Sequence, residues 1–139
     1  MVTREEFLTI PKMAREISEE EDRVAVMRAK LYSPRGLDTS EKVQSSGSQS
    51  HLADIVIDME QALDARKAEL ESLRAEALIL IDSAELSGEE RALMFLRYVE
   101  DRSWRDITET IHYAAATTFR MHRSALDKIF KEQRWERSR

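Results

Sequence analysis

The sequence predicts an all-α chain: a long helical hairpin or coiled coil followed by a C-terminal unit of three short helices. Three observations predict it. Only 3 Gly and 2 Pro interrupt 139 residues, while 35% are charged and 6% aromatic. Leu52, Val56, Met59, Leu63, Arg66, Leu70, Leu73, Ala77, Leu80 and Ala84 recur in alternating steps of four and three, a heptad seam broken only by Arg66. Ser87 and Ser103 each stand three residues before an acidic side chain, the signature of a helix start.

The elements follow in order. Residues 1–32 read as N-terminal helices. Thr3-Arg4-Glu5-Glu6 is a capping box, and Pro11 is expected to interrupt the first helix, because proline has no N–H to donate. From Met13 an apolar stripe runs through Ile17, Val24, Met27 and Leu31, with Glu20 filling one slot. Residues 33–50 are rich in Ser and Gly, contain Pro34 and read as a flexible linker. Residues 51–85 carry the heptad seam. It is buried either by the N-terminal stripe folding back across the linker or by a second copy of the chain.

Residues 86–139 form the last unit. Ser87 and Glu90 make a capping box, followed by Ala92, Leu93, Leu96 and Val99 as the apolar side. Glu100-Asp101-Arg102 is a short connection. Ser103 then caps a helix whose Trp104, Ile107, Thr108 and Ile111 share one face. The pattern breaks at His112-Tyr113-Ala114. A second period follows in Thr118, Met121, His122, Ala125 and Ile129, with Ala115, Ala116, Phe119, Arg120 and Arg123 opposite. Two helices with a tight turn between them, the second bearing outward arginines, have the layout of a helix-turn-helix. Small alanines admit a close approach to DNA, and arginines reach phosphates or the guanine O6/N7 edge. The candidate DNA contacts are Arg102, Ser103, Arg105, Ala115, Ala116, Thr117, Phe119, Arg120, Arg123 and Lys128. Phe119 either meets a thymine methyl or packs on a neighbouring helix.

Residues 86–130 resemble region 4 of bacterial sigma factors. The matching elements are Leu96-Arg97-Tyr98, the Ser103-Trp104 start with Ile107, then Thr117 and the Arg-rich helix ending in Ala125-Leu126. The whole chain is similar to small phage and prophage proteins of Gram-positive bacteria that resemble late-gene transcriptional regulators. The pieces that carry this are KVQSSGSQ (42–49), the long helix after it, Arg97-Tyr98 and IHYAAATTFRMHRSAL (111–126). The resemblance implies promoter binding, with RNA polymerase as a further partner. The chain departs from the sigma pattern at three positions. Thr108 replaces Ala, His112 replaces a small or turn-forming residue, and Thr118 replaces Val. A threonine hydroxyl can bond back to an earlier carbonyl, and histidine visits left-handed backbone more than most residues.

Net charge is −5, but unevenly spread. Residues 1–100 hold 13 Lys+Arg against 21 Asp+Glu, a balance of −8; residues 101–139 hold 9 against 6, a balance of +3. Lys128, Lys131, Arg134, Arg137 and Arg139 make the end basic. DNA binding needs a local positive face more than a positive total. The absence of Cys excludes disulfides, thiolate metal sites and thiol nucleophiles. His51, His112 and His122 are far apart, and no Gly-rich phosphate loop or Ser/His/Asp arrangement is present, so neither enzyme activity, metal nor cofactor is expected. With no long apolar run and no signal-peptide pattern, the chain is expected to be soluble and cytoplasmic, with no membrane partner.

Three functional classes fit these residues. The first is a sequence-specific DNA-binding transcriptional regulator acting on double-stranded DNA as a homo-oligomer, since a symmetric dimer reads two half-sites. The second is a phage DNA-packaging component resembling a small terminase subunit. The third is a protein-interaction module with a degenerate helix-turn-helix.

Overall fold

The computed structural model describes residues 1–32 and 42–131, with side chains from Ser50 onward in the second stretch. These residues form five helices and no strand: α1 (Arg4–Tyr32), α2 (Lys42–Ser83), α3 (Gly88–Tyr98), α4 (Trp104–Ile111) and α5 (Ala115–Ile129). They group into two compact units. One joins residues 1–14 to the chain from Leu70 onward, and the other is Arg15–Glu69. Neither α1 nor α2 is long and apolar enough to cross a membrane.

Two expectations about helix length are corrected. Pro11 lies inside an unbroken α1. An interior proline costs about 3 kcal/mol, through a lost hydrogen bond and a clash one turn back. Phe7, Ile10 and Ala14 flank it on one buried stripe, and ending the helix at Pro11 would strip that stripe from the core. Secondly, α2 starts at Lys42, inside the stretch read as a linker; residues 33–41 lie outside the described residues. The cause is cooperativity. Extending an existing helix adds one bond per residue fixed, Gly47 costs only about 1 kcal/mol relative to alanine, and no proline occurs between Lys42 and Ser83.

In the unit Arg15–Glu69, Ile17 and Val24 of α1 and Val56 and Leu63 of α2 are buried. Ion pairs join the two helices: Glu16 to Arg66 at 3.1 Å, Glu21 to Lys67 at 3.5 Å, and Arg28 to Glu60. Arg66, the break in the heptad seam, is therefore paired, and so is Glu20, which bonds Arg23. Exposed pairs of this kind contribute at most about 1 kcal/mol each, so burial of the four apolar side chains dominates. Along the whole seam Val56, Leu63, Leu70 and Ala77 are buried, and Leu52, Met59, Arg66, Leu73, Leu80 and Ala84 half-buried, within a single chain.

The other unit gathers Val2, Phe7, Ile10 and Ala14 with Leu70, Ala77 and Ile81 of α2. Leu93, Met94 and Tyr98 of α3, Ile107 of α4, Ala125 and Leu126 of α5, and Phe130 complete the core. The inward stripe of α3 is rotated from the expected one. Ala92 is exposed, while Met94 is buried alongside Tyr98. The bulky pair buries far more apolar area than a methyl group and decides the helix's rotation. The start of α3 is as the sequence predicts. Ser87 Oγ accepts from the Glu90 N–H at 3.1 Å, and Glu90 Oε1 accepts from the Ser87 N–H at 2.9 Å. Just before it, the Arg91 guanidinium donates to the carbonyls of Ile81 (2.6 Å), Asp82 (2.9 Å) and Ala84 (3.1 Å). Ile81 and Asp82 lie in the last turn of α2, whose carbonyls lack intrahelical partners, so one side chain both caps α2 and ties it to α3.

Candidate nucleic-acid interface

The path from α3 to α5 is set by two residues with left-handed backbone. Asp101 has φ 58° and lets the chain turn out of α3 toward Ser103. Ser103 Oγ then accepts from the Asp106 N–H at 3.1 Å and starts α4. At the other end of this eight-residue helix, His112 has φ 60° and ψ 37°, and its N–H donates to Thr108 O at 3.0 Å. A left-handed C-terminal residue is the usual way to stop a helix sharply, and glycine is its usual occupant. Histidine fills the role here.

The two threonines that depart from the sigma pattern are also accommodated. Thr108 Oγ1 donates to Arg105 O at 2.8 Å. Thr118, 0% exposed, donates its hydroxyl to Ala114 O at 3.0 Å. Each hydroxyl is thus satisfied by a nearby backbone carbonyl, which for the buried Thr118 removes the cost of burying a polar atom.

A chain of rings fixes α5 on its supports. Phe7 meets Phe130 edge-on at 5.3 Å and Tyr98 at 4.2 Å between centroids. Tyr98 stacks on His122 at 5.8 Å, and its hydroxyl shares a 2.7 Å hydrogen bond with His122 Nε2. His122 meets Trp104 edge-on at 4.8 Å, and Trp104 in turn meets Phe119 at 5.1 Å. The Arg97 guanidinium lies over the Trp104 ring at 4.7 Å. Burial, with the positive charges of Arg97 and Arg4, lowers the His122 pKa from 6.5 to about 4, so the ring is neutral at pH 7. Burial likewise pushes the Tyr98 hydroxyl up, keeping it protonated.

Ala115, Ala116, Phe119, Arg120 and Arg123 are exposed, as the periodicity predicts. Phe119 packs edge-on against Trp104 and leaves 47% of its surface open. Thr117 is half-buried, and its Oγ1 accepts from Arg120 Nη2 at 3.3 Å. The Ser103 hydroxyl is engaged as a helix cap. Arg102 pairs with Glu100 at 3.6 Å, and Arg105 with Glu109 at 3.5 Å on the outside of α4. Lys128 is held more firmly, its Nζ donating to Glu90 Oε1 at 2.7 Å. Glu90 is 5% exposed. Burial alone would raise its pKa, but hydrogen bonds from Lys128, the Ser87 N–H and Ser124 prevail and lower it to about 2.

Arg120, Arg123 and Lys128 come together as walls of one open cleft of about 830 Å³, with Ser124, Asp127, Lys131 and Glu85 as its other lining residues. Arg102 and Arg105 lie outside it. Sequence reasoning overlooks Asp127 and Glu85 here and takes Lys131 only as part of a basic tail. The signal for Asp127 and Lys131 is the helical spacing Arg120, Arg123, Asp127, Lys131, a single stripe. Glu85 carries no such signal, since it reaches the cleft from the α2–α3 connection. Residues Arg134, Arg137 and Arg139 fall outside the described residues.

Among the described residues, no three of His, Asp and Glu converge as metal ligands. Comparisons of the chain with protein-family models, curated proteins and solved structures give no match.

Proposed function

We propose that this chain is a DNA-binding transcriptional regulator of the phage or prophage type, with α4 and α5 acting as a helix-turn-helix and α5 entering the major groove. One observation carries the reading: the outward face of α5 joins two alanines to Arg120 and Arg123, all exposed, on a helix whose opposite face is locked by rings and hydrogen bonds. Rigid backing with a small-and-basic front is what reading a groove demands. Ion pairs between α1 and α2 support the hairpin arrangement of the long helices. One such unit touches few base pairs, so the regulator acts as a homo-oligomer on paired half-sites. Because the heptad seam is already covered within one chain, the copies join through another surface. The acidic first hundred residues face a protein partner, RNA polymerase in the promoter-binding reading.

The test is an anisotropy titration with mixed-sequence duplex DNA at two salt concentrations. Binding that weakens steeply with salt, and weakens further in the double variant Arg120→Ala with Arg123→Ala, is expected. No binding at low salt would overturn the proposal and leave the protein-interaction module. A ring-shaped assembly by solution mass would favour the packaging component over the regulator.

A further inference from the structure

We infer that the cleft along α5 is a phosphate track for one strand of duplex DNA, built on Arg120, Arg123 and Lys131, and kept positive by Arg4, which neutralises Asp127. The inference rests on the DNA-binding reading and adds which side of α5 takes the backbone. The argument is a charge balance within the cleft. Its lining holds four cations (Arg120, Arg123, Lys128 and Lys131) and two carboxylates (Glu85 and Asp127). Two of these charges are already compensated. Lys128 serves the buried Glu90 at 2.7 Å, and Asp127 Oδ1 is paired with Arg4 Nη1 at 3.2 Å. What remains is Arg120, Arg123 and Lys131 against Glu85, an excess of positive charge. Arg123 and Lys131 have no ion-pair partner among the described residues.

Spacing fits the same occupant. Arg120 and Arg123 lie one turn apart on α5, and Lys131 follows two residues past its end at Ile129, so the cations line up along the cleft. Asp127 sits midway along this stripe and would repel the strand were it bare. Arg4, at the start of α1, is therefore a positioning residue for the interface: it touches no DNA and acts through Asp127. Lys128, whose ammonium is bonded to the core carboxylate of Glu90, is left out of the track.

The experiment measures affinity for one duplex across several salt concentrations, with circular dichroism confirming that each variant folds. Arg123→Gln and Lys131→Gln, both at exposed positions, are each expected to lower the slope of log affinity against log salt by roughly 0.9, the loss of one phosphate contact. Arg4→Ala is expected to weaken binding at low salt, Asp127→Asn to tighten it, and the double variant to return near wild type. A wild type that binds DNA while Arg123→Gln and Lys131→Gln keep its slope would overturn the track but not the DNA-binding reading. A wild type that fails to bind at all overturns both. An Arg4→Ala defect that Asp127→Asn does not restore removes Arg4 from the mechanism.

Discussion

The Tyr98 hydroxyl and His122 Nε2 share a 2.7 Å hydrogen bond that ties the end of α3 to the middle of α5. Two side chains from helices separated by the whole of α4 thus meet in the core, with Trp104 closing the third side. Because His122 lies one turn from Phe119 on one side and from the buried Ala125 and Leu126 on the other, the bond helps set the rotation of α5 and hence which residues face outward. Burial keeps this imidazole neutral at pH 7.

A stability loss on mild acidification follows. The folded His122 pKa is about 4, against 6.5 for an unperturbed ring. Between those values the unfolded chain binds a proton that the folded chain refuses, so this contribution is whole above pH 6.5 and disappears as pH falls toward 4. Its full size is about 3.4 kcal/mol at 1.36 kcal/mol per unit, of which about 2 kcal/mol is lost by pH 5. Urea unfolding at pH 7 and pH 5 should show the fall, and His122→Gln should flatten it. The same pH dependence in the variant would assign the acid sensitivity to other groups.

Glu90 works in a separate window. Its pKa is lowered from 4.5 to about 2, so its contribution is complete above pH 4.5 and is lost as pH falls through 2. At neutral pH, Glu90→Gln keeps an acceptor for the Ser87 N–H and is expected to cost about 1–2 kcal/mol, through the weakened bond to Lys128. Glu90→Ala also removes the cap and should cost about 2–4 kcal/mol. Thermal melts of the two variants give the order. Equal losses would mean that the charge on Glu90 carries the whole effect and that its acceptor bond to the Ser87 N–H adds nothing.

What the sequence makes legible here is what is local. Helix starts at Ser87 and Ser103 are readable because cap and partner stand three residues apart. The outward face of α5 is readable because periodicity alone fixes it. His112 is readable as a turn because it interrupts that periodicity. Pro11 and the start of α2 are misread for the opposite reason: local breakers are overridden by burial and by helix elongation. The Glu90–Lys128 pair, 38 residues apart, and the Arg4–Asp127 pair, 123 apart, leave no local trace. They belong to the packing of α1, α3 and α5, which a one-dimensional pattern does not contain.

Arg91 is another long reach without a pattern, and it carries its own test. Its guanidinium serves carbonyls at the end of α2 and in the following connection from the first turn of α3. Arg91→Ala leaves these carbonyls to water and is expected to cost about 2–3 kcal/mol, the range for hydrogen bonds to a charged group. Arg91→Lys should recover only part, because one ammonium cannot span several carbonyls with the geometry of a planar fork. Chemical denaturation measures both. Full recovery with lysine would reduce the role to charge alone.

Thr118 offers the sharpest trial of the departures from the sigma pattern. It is 0% exposed, and its hydroxyl donates to Ala114 O at 3.0 Å. That carbonyl already accepts the Thr118 N–H at 2.9 Å, so losing the hydroxyl leaves no buried group unmet. Valine has nearly the same shape and the same stiffness about its first side-chain bond. Thr118→Val exchanges a buried hydroxyl for a methyl in an apolar site and is expected to raise stability by about 0.5–1 kcal/mol. DNA affinity should not change, because the residue lies on the face of α5 away from Arg120 and Arg123. A destabilised variant would show that the second bond to Ala114 O helps hold the first turn of α5, where Ala114 offers no side-chain cap of its own. The turn between α4 and α5 would then depend on threonine at this position for its geometry, and affinity should fall together with stability.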